Sequence, residues 1–576
     1  MSFDSENRTV SAIFQRQAQY VVPRYQRGYV WTKVNWRELV SDIRFTLEEG
    51  DGITWSHFLG TIVLNRLGGP VDGIQRYEIT DGQQRLTTLY FLILACYKRF
   101  DQLGEMGSNR AKNYVLPTFL MSRDMNGGEV PVLCNPDLQG DIFVALQCAK
   151  DKSPLPMNNA FRGLSVYLDA ELSSMDMEAL TAFFNKMLST SVVEITSFSD
   201  EEIYNIFEVL NARGQRLKQI ELLKNHVLKY LKPRDGDVID KAKDQWGAMV
   251  ERLEPVCDTD DFVNHFARVY ISKDPENRDG TYRLIKEEVP ISGLGMFLKR
   301  IVEFSKVYAD VLNSDDPCVE YFILKGNRQV RPLLCATELL LRRGVICQSA
   351  RNAAFTLLRN YFFRFNAAGL TSNKTDSAIS WASYAVYHCA YETEFKFILR
   401  GLFSRLVGFV GFDDFKRGLF TSTSLQYTNK KRRGRNNSKL VRYVLVEYCQ
   451  HYQLDSSIEP DKLTIEHLMP DDGEYETAQI ANLVLTSEDL NSRELGCKPV
   501  IEKIEILTDQ SSIKVNQRLG QYVVGNEFDY ERRKDDMARQ LYEEVFPFSP
   551  DDLGIDGAAL DWYSKCESAI VSRKLV

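Results

Sequence analysis

Glu466 and His467 stand side by side toward the C-terminal end of the sequence, with Asn482 and Asn491 following, in a protein that holds six histidines among 576 residues. Hydrolysis of a phosphodiester needs a base to take a proton from water, and an imidazole that is neutral near pH 7 can do so. His467 is the candidate base. The reaction also needs a hard cation to neutralise charge on the phosphate and the leaving oxygen. Oxygen ligands such as Glu466 and Asn491 suit Mg²⁺ or Mn²⁺. Asn482 is the candidate for orienting the imidazole through a loop carbonyl or an amide contact. A lone Glu-His pair is more often a buried histidine at a turn. Here Glu-His-Leu-Met-Pro is followed by Asn-Leu-Val-Leu-Thr and a further Asn, which favours chemistry. His57, His226, His265, His388 and His451 show no mutual ligand spacing, so no zinc site is expected.

A second constellation joins Val22–Trp31 (VPRYQRGYVW) to Asp81-Gly82-Gln83-Gln84-Arg85. Arg76–Thr80 reads as a strand, Asp81-Gly82 as a turn, and Gln83 onward as a helix whose first amides point at whatever lies above the strand end. Gly82 would let a phosphate approach the backbone, Arg85 would supply a forked donor, and Asp81 would hold a metal ion or orient a water. Arg24 and Arg27 would add charge from the first loop. The alternative is that Asp81 merely caps the helix while the arginines pair with carboxylates. A third feature is Lys430-Lys431-Arg432-Arg433-Gly434-Arg435, the densest basic stretch, which with Lys439 and Arg442 reads as a phosphate-binding patch or a solvated basic loop.

These residues need elements to hold them. TIEH (464–467) reads as a strand end and NLVLT as a second strand. Thr486 is then expected as an N-cap with Asp489 completing a capping box, placing Asn491 in the first helical turns, with Gly496 and Pro499 marking a stop and a restart. Strand, strand, helix is the ββα-metal arrangement of HNH, or His-Me finger, nucleases. Near the N-terminus, 58–65 and 76–80 read as strands and Gln83–Phe100 as an apolar helix. Glycine and asparagine over 101–159 predict a loop-rich insertion. Residues 160–250 and 280–420 carry helical periodicity, residues 530–546 a closing helix, and the segment beyond Phe548 little structure.

Composition sets the class. Apolar residues are 44% and charged residues 26%, as in an ordinary globular protein. Net charge is −8, so a uniformly basic coat is excluded and nucleic acid must be met by local patches. No apolar run is long enough to span a bilayer. The first residues lack the pattern of a signal peptide, and the 11 cysteines include no CxxC, so a cytoplasmic location is expected.

VPRYQRGYVW, HFLGTIVL (57–64), DGQQRLTTL (81–89) and IFEVLNARGQRLKQIELLKN (206–225) resemble in order and spacing the four signatures of the DUF262 family, the N-terminal half of GmrSD-type modification-dependent restriction enzymes. The resemblance implies a ParB/sulfiredoxin-like fold that binds and hydrolyses a nucleoside triphosphate (NTP). It carries over Asp81, Gly82, Gln83, Gln84 and Arg85, with Gln26 and Arg27, as nucleotide-binding residues. In the fourth signature Asn211, Gly214 and Lys224-Asn225 match, Glu221 stands where Asp is usual, and a turn role and a pocket role are both open. The segment from about 425 to 548 resembles DUF1524, the partner nuclease of the same family, through Glu466-His467 with Pro470, Asn482-Leu483 with Leu485, Asn491 and Lys498. It departs at Asp471, at Ala481 and in a short acidic linker that lacks the usual Trp.

The expected architecture is a multidomain α+β chain: a nucleotide-binding domain over 1–235, an α-helical body over 236–420, an HNH-like nuclease over 421–548 and a tail over 549–576. The expected function is modification-dependent (type IV-like) anti-phage restriction, with Mg²⁺ or Mn²⁺ and an NTP as cofactors and modified or phage DNA as partner. A second copy of the chain is a candidate partner, and a membrane is not. The alternatives are an NTP-regulated DNA sensor with a weak or inactive nuclease, and a toxin that nicks any DNA.

Overall fold

The computed structural model describes residues 3–26, 28–48, 58–197, 218–233, 240–271, 280–429, 438–453 and 459–553. They form two compact units, Met1–Lys232 and Pro233–Val576. Arg27, His57, the segment 201–217 with Asn211 and Gly214, the basic stretch 430–435 and residues 554–576 lie outside the described residues.

The first unit is built on β1 (Phe3–Thr9), α1 (Val10–Phe14), β2 (Ala18–Val21), α2 (Lys33–Glu48), β3 (Phe58–Val71), β4 (Ile74–Asp81), α3 (Gln83–Gln102), β5 (Met121–Arg123), β6 (Glu129–Pro131), β7 (Leu133–Cys134) and β8 (Ser191–Ser197). Six of the strands make one mixed sheet in the order β1-β8-β3-β4-β2-β7. β3 runs past the expected Asn65 because Asp72 and Gly73, at φ 52° and 83°, close a tight hairpin onto β4. α3 is apolar on nearly every side and sits within the core, as Leu86, Leu89, Tyr90, Phe91, Leu92 and Ile93 show.

Residues 101–159 correct the expectation of a loop-rich insertion. They hold helices at Gly104–Arg110, Ala111–Leu120 and Gln139–Lys150 and the β5/β6 hairpin. Ala111, Val115, Phe119, Leu120, Val132, Ile142 and Leu146 belong to the main core, so apolar spacing outweighs the local glycines. β8 interrupts the helical region and pairs with both β1 and β3. Its β-branched run SVVEITS is the signal for it.

The second unit combines a helical body with the 421–548 segment, which the sequence divides near 420. Body helices such as Leu294–Leu312, Arg331–Arg342, Gln348–Ala367 and Asp376–Tyr387 bury their aromatic faces. The stretch after the closing helix is bound to this body: Arg364 Nε donates to the Phe546 carbonyl at 3.0 Å, and Asn360 Nδ2 to that of Pro547. Residues just past Phe548 are likewise ordered, with Leu553 buried and Arg400 2.9 Å from Asp551. β9 (Leu463–His467) and β10 (Leu483–Ser487) form an antiparallel hairpin in the register His467↔Leu483 and Glu466↔Val484. A small core of Leu468, Val484, Leu495, Ile504, Leu507, Leu519 and Tyr522 holds hairpin and helices together. No helix among the described residues is long and apolar enough to cross a membrane.

Candidate functional site

At the C-terminal end of β4 the chain turns through Gly82, whose φ of +90° is the left-handed conformation and where an added Cβ would press on Ile62. Glycine is required there by backbone geometry alone. Gly82 brings no side chain to cap the amides of α3, and the first turn of α3 holds no acidic residue, so the positive end of the helix dipole is uncompensated by its own helix. Arg85 Nη1 donates to the Leu59 carbonyl at 2.6 Å and crosses Gly60, and its Nη2 lies 3.7 Å from Asp81. Both side chains remain partly exposed.

Gln84 and Gln26, both expected at the nucleotide, hold main chain in this structure. Gln84 Oε1 accepts from the Val30 amide at 2.9 Å and the Trp31 amide at 3.3 Å, while its Nε2 donates to the Gly28 carbonyl at 3.1 Å. Gln26 Nε2 donates to the carbonyls of Ile79 and Thr80, each at 2.7 Å. Both amides are used in tying the 22–31 loop to β4 and α3. Gln83 is buried in the first turn of α3. Tyr29 anchors the same loop, meeting Thr88 Oγ1 at 2.7 Å and accepting from Trp36 Nε1 at 2.9 Å. Arg24 donates to the Leu231 carbonyl at 2.9 Å.

In the second unit, His467 closes β9 and is 3% exposed. Its Nε2 lies 3.0 Å from the Tyr427 carbonyl, and its ring stacks on the Tyr427 ring with centroids 5.6 Å apart. A carbonyl oxygen only accepts, so Nε2 carries the proton and Nδ1 is the acceptor nitrogen. Tyr427 is joined to the hairpin region by its amide on the Ala478 carbonyl at 2.9 Å. Asp471 accepts from the Thr428 hydroxyl at 2.8 Å and the Asn429 amide at 2.8 Å. Burial opposes the charge of Asp471. The Thr428 hydroxyl, the Asn429 and Gly473 amides and the field of His467 outweigh it, holding the carboxyl below its ordinary value.

Asn482 does not touch the imidazole, which corrects the expected orienting contact. It is fully buried and binds main chain: Oδ1 accepts from Met469 N at 2.8 Å, and Nδ2 donates to Met469 O at 3.0 Å and Thr477 O at 2.8 Å. It therefore fixes the loop that leaves His467. The helix cap is Ser487, whose hydroxyl accepts from Leu490 N, while Thr486 stays in β10; the expected cap is one residue early. Asn491 opens a wide helical stretch, Asn491–Leu495, and donates from Nδ2 to Thr464 Oγ1 at 3.1 Å. Thr464 and Glu466 are two apart on a strand and share a face, whereas His467 points to the other. The structure thus gathers Asn491 and Glu466 on one face of the hairpin.

Two residues escape the sequence reading. Lys503, in the Val500–Gln510 helix, is 3% exposed, pairs with Glu466 Oε1 and donates to the His467 carbonyl at 2.8 Å. Lys498, the expected downstream lysine, lies 3.4 Å from Glu502 near the surface. The signal for Lys503 was its position beside Ile504 and four residues before Leu507, on the core-facing side of the helix. Arg533 is buried and donates to the carbonyls of Ala481 at 2.6 Å and Leu483 at 3.3 Å, on either side of Asn482. Of the residues beside the basic stretch, Arg442 donates to the Leu463 carbonyl at 2.6 Å, so it supports β9.

Among the described residues no three His, Cys, Asp or Glu side chains gather as a closed metal set. Glu466 and the Asn491 amide oxygen fit a largely hydrated Mg²⁺ or Mn²⁺, which is commonly held by one or two protein oxygens, waters and a substrate phosphate. Glu466 already pairs with the Lys503 ammonium, so a metal ion there would share this carboxylate with Lys503. The Gly82 turn, the bare start of α3 and Arg85 fit a phosphate group in the first unit.

Two family models match the chain. The GmrSD restriction endonuclease N-terminal domain covers residues 10–228, and the GmrSD restriction endonuclease C-terminal domain covers residues 422–540. The first spans the 22–31 loop and Asp81–Arg85; the second spans Glu466, His467, Asn482, Asn491, Lys503 and Arg533. No curated protein matches the chain.

Proposed function

The chain belongs to the GmrSD restriction endonuclease family, and from that membership we propose a modification-dependent restriction enzyme whose C-terminal segment cleaves DNA with a divalent cation and whose N-terminal unit binds and hydrolyses an NTP. DNA is the substrate class that the family implies. An HNH-like reading of the β9/β10 hairpin and its helix, and a ParB-like reading of the first unit, belong to this proposal.

The observation that carries it is the 3.0 Å contact of His467 Nε2 with the Tyr427 carbonyl. With Nε2 committed to the Tyr427 carbonyl, Nδ1 presents a lone pair that can take a proton from water. Glu466 and Asn491 would hold a cation, which when bound supplies charge neutralisation at the phosphate and the leaving oxygen. They share the face opposite His467, so base and cation would meet one phosphate only past the strand end, where His467 closes β9. Lys430 follows Asn429 in sequence, so phosphate contacts by Lys430–Arg435 would begin three residues from the carbonyl that fixes His467.

In the first unit, Arg85 and the start of α3 would bind the NTP phosphates, and nucleotide would license or restrain cutting through its different affinity for two states of the enzyme. The test is cleavage of modified and unmodified phage DNA with Mg²⁺ and each NTP in turn, for the wild type, His467→Ala and Arg85→Ala. Loss of cutting in His467→Ala is expected even where the variant is folded, with NTP hydrolysis retained and a melting temperature lowered by the lost Tyr427 stack and hydrogen bond. Persistent metal-dependent cutting by that variant overturns the nuclease assignment. Arg85→Ala should weaken NTP binding and change cleavage, downward if nucleotide licenses it and upward if nucleotide restrains it.

A further inference from the structure

Lys503 is a charged group where the helix calls for an apolar one. It stands beside Ile504 and in line with Leu507, both core residues, yet its ammonium is buried. Burying an ammonium is costly unless it is paired and hydrogen-bonded, and a hydrophobic residue of similar volume is often tolerated as well or better. Packing alone therefore gives no reason for lysine. Its partners do: Glu466 Oε1 and the main-chain carbonyl of His467, adjacent residues that the nuclease reading makes the cation ligand and the base. The ion pair is enclosed, with the two side chains 4% and 14% exposed, so its field is little screened by solvent.

We propose, resting on the nuclease reading, that Lys503 is a positioning residue that holds Glu466 and His467 in register and weakens cation binding until a DNA phosphate is present. The ammonium occupies the carboxylate that a divalent cation would approach, and like charges in an enclosed site repel. A cation entering without substrate meets that repulsion. A phosphate brings negative charge that offsets both cations, so metal uptake and substrate binding become linked, each strengthening the other by the same factor. Metal loading in the absence of substrate is thereby suppressed.

The test measures Mn²⁺ binding by calorimetry and by electron paramagnetic resonance on the full-length protein, with and without a DNA duplex carrying a non-cleavable phosphorothioate. Wild type should bind Mn²⁺ at least tenfold more tightly with the duplex. Lys503→Met should bind Mn²⁺ at least fivefold more tightly than wild type without DNA, yet cleave at least tenfold more slowly at saturating Mn²⁺, because Glu466 and His467 lose their shared support. A merely structural lysine would weaken both properties together. Lys503→Arg keeps the charge and should stay within about twofold of wild type in Mn²⁺ affinity, which keeps the idea testable if the methionine variant does not fold. Equal or weaker Mn²⁺ binding by folded Lys503→Met, Mn²⁺ binding by Lys503→Arg that tightens as an uncharged residue would make it, or wild-type Mn²⁺ affinity indifferent to the duplex each overturns the proposal while leaving the nuclease reading intact. A wild type that binds no Mn²⁺ under either condition and cuts no DNA overturns the nuclease reading itself.

Discussion

Replacing Asn482 tests whether the loop leaving His467 hangs on one buried amide. Three hydrogen bonds at 2.8, 3.0 and 2.8 Å join the Asn482 side chain to the main chain of Met469 and Thr477. At a net contribution of about 1 kcal/mol each, Asn482→Ala should cost about 3 kcal/mol. Asn482→Asp is the sharper variant because the shape is kept. A carboxylate still accepts from the Met469 amide, but its second oxygen now faces two carbonyl oxygens, and the charge is buried. The loss of both donors plus several kcal/mol of desolvation should take the cost to about 4 kcal/mol or more, even if the group protonates in response. Aspartate should therefore be worse than alanine, the reverse of the order set by volume. Hydrogen exchange over peptides spanning 466–478, with urea unfolding of the same variants, reads both the local and the global effect. DNA cleavage should fall in step while NTP hydrolysis persists. An aspartate variant milder than alanine, or unaltered exchange in this loop, would refute the anchoring argument.

Three further outcomes are expected. Gly60 has φ +89° and lies directly under the Arg85 guanidinium, so Gly60→Ala should cost about 1–2 kcal/mol from backbone strain and lower NTP affinity as Arg85→Ala does; unchanged affinity would detach Arg85 from the nucleotide. Neutralising Lys430, Lys431, Arg432 and Arg433 should weaken binding to all DNA sequences alike and flatten the salt dependence by roughly 0.9 per lost phosphate contact, and an unchanged slope in filter binding would return the stretch to a solvated loop. Asp471 has its carboxyl held below the ordinary value, so its stabilising effect is full above the unfolded value of about 4 and is lost as pH falls through the lower folded one. The join between Thr428-Asn429 and the 471 loop should accordingly loosen on acidification, and Asp471→Asn should flatten that acid limb of the stability profile.

Some of this was legible in the sequence and some was not, for physical reasons. The hairpin of Leu463–His467 and Leu483–Ser487 announces itself through alternating apolar residues around Glu466 and His467, and α3 through an unbroken apolar surface. β1, with the sequence FDSENRT, carries no such signal because pairing with β8, and not its own apolarity, makes it a strand. Lys503 was hidden by its charge, which by default marks a solvated position. The roles of Gln26, Gln84 and Asn482 were hidden differently: their partners are backbone atoms, which every residue possesses, so no pattern of residue types reveals them. Asp471 and Arg442 went unread for a related cause, since each binds a segment remote in sequence through amides, a hydroxyl or carbonyls.

The same preference for main-chain partners bears on how such an enzyme can change. Gln84 grips Gly28, Val30 and Trp31, and Asn482 grips Met469 and Thr477, entirely through peptide groups. The outward side chains on those segments, such as Val30, are not part of the fastening. Such side chains can be exchanged one at a time while the frame beneath stays put. The anchors separate what must hold still from what is free to diversify, and a library randomised at Val30 and Met469 with Gln84 and Asn482 kept should retain many folded members.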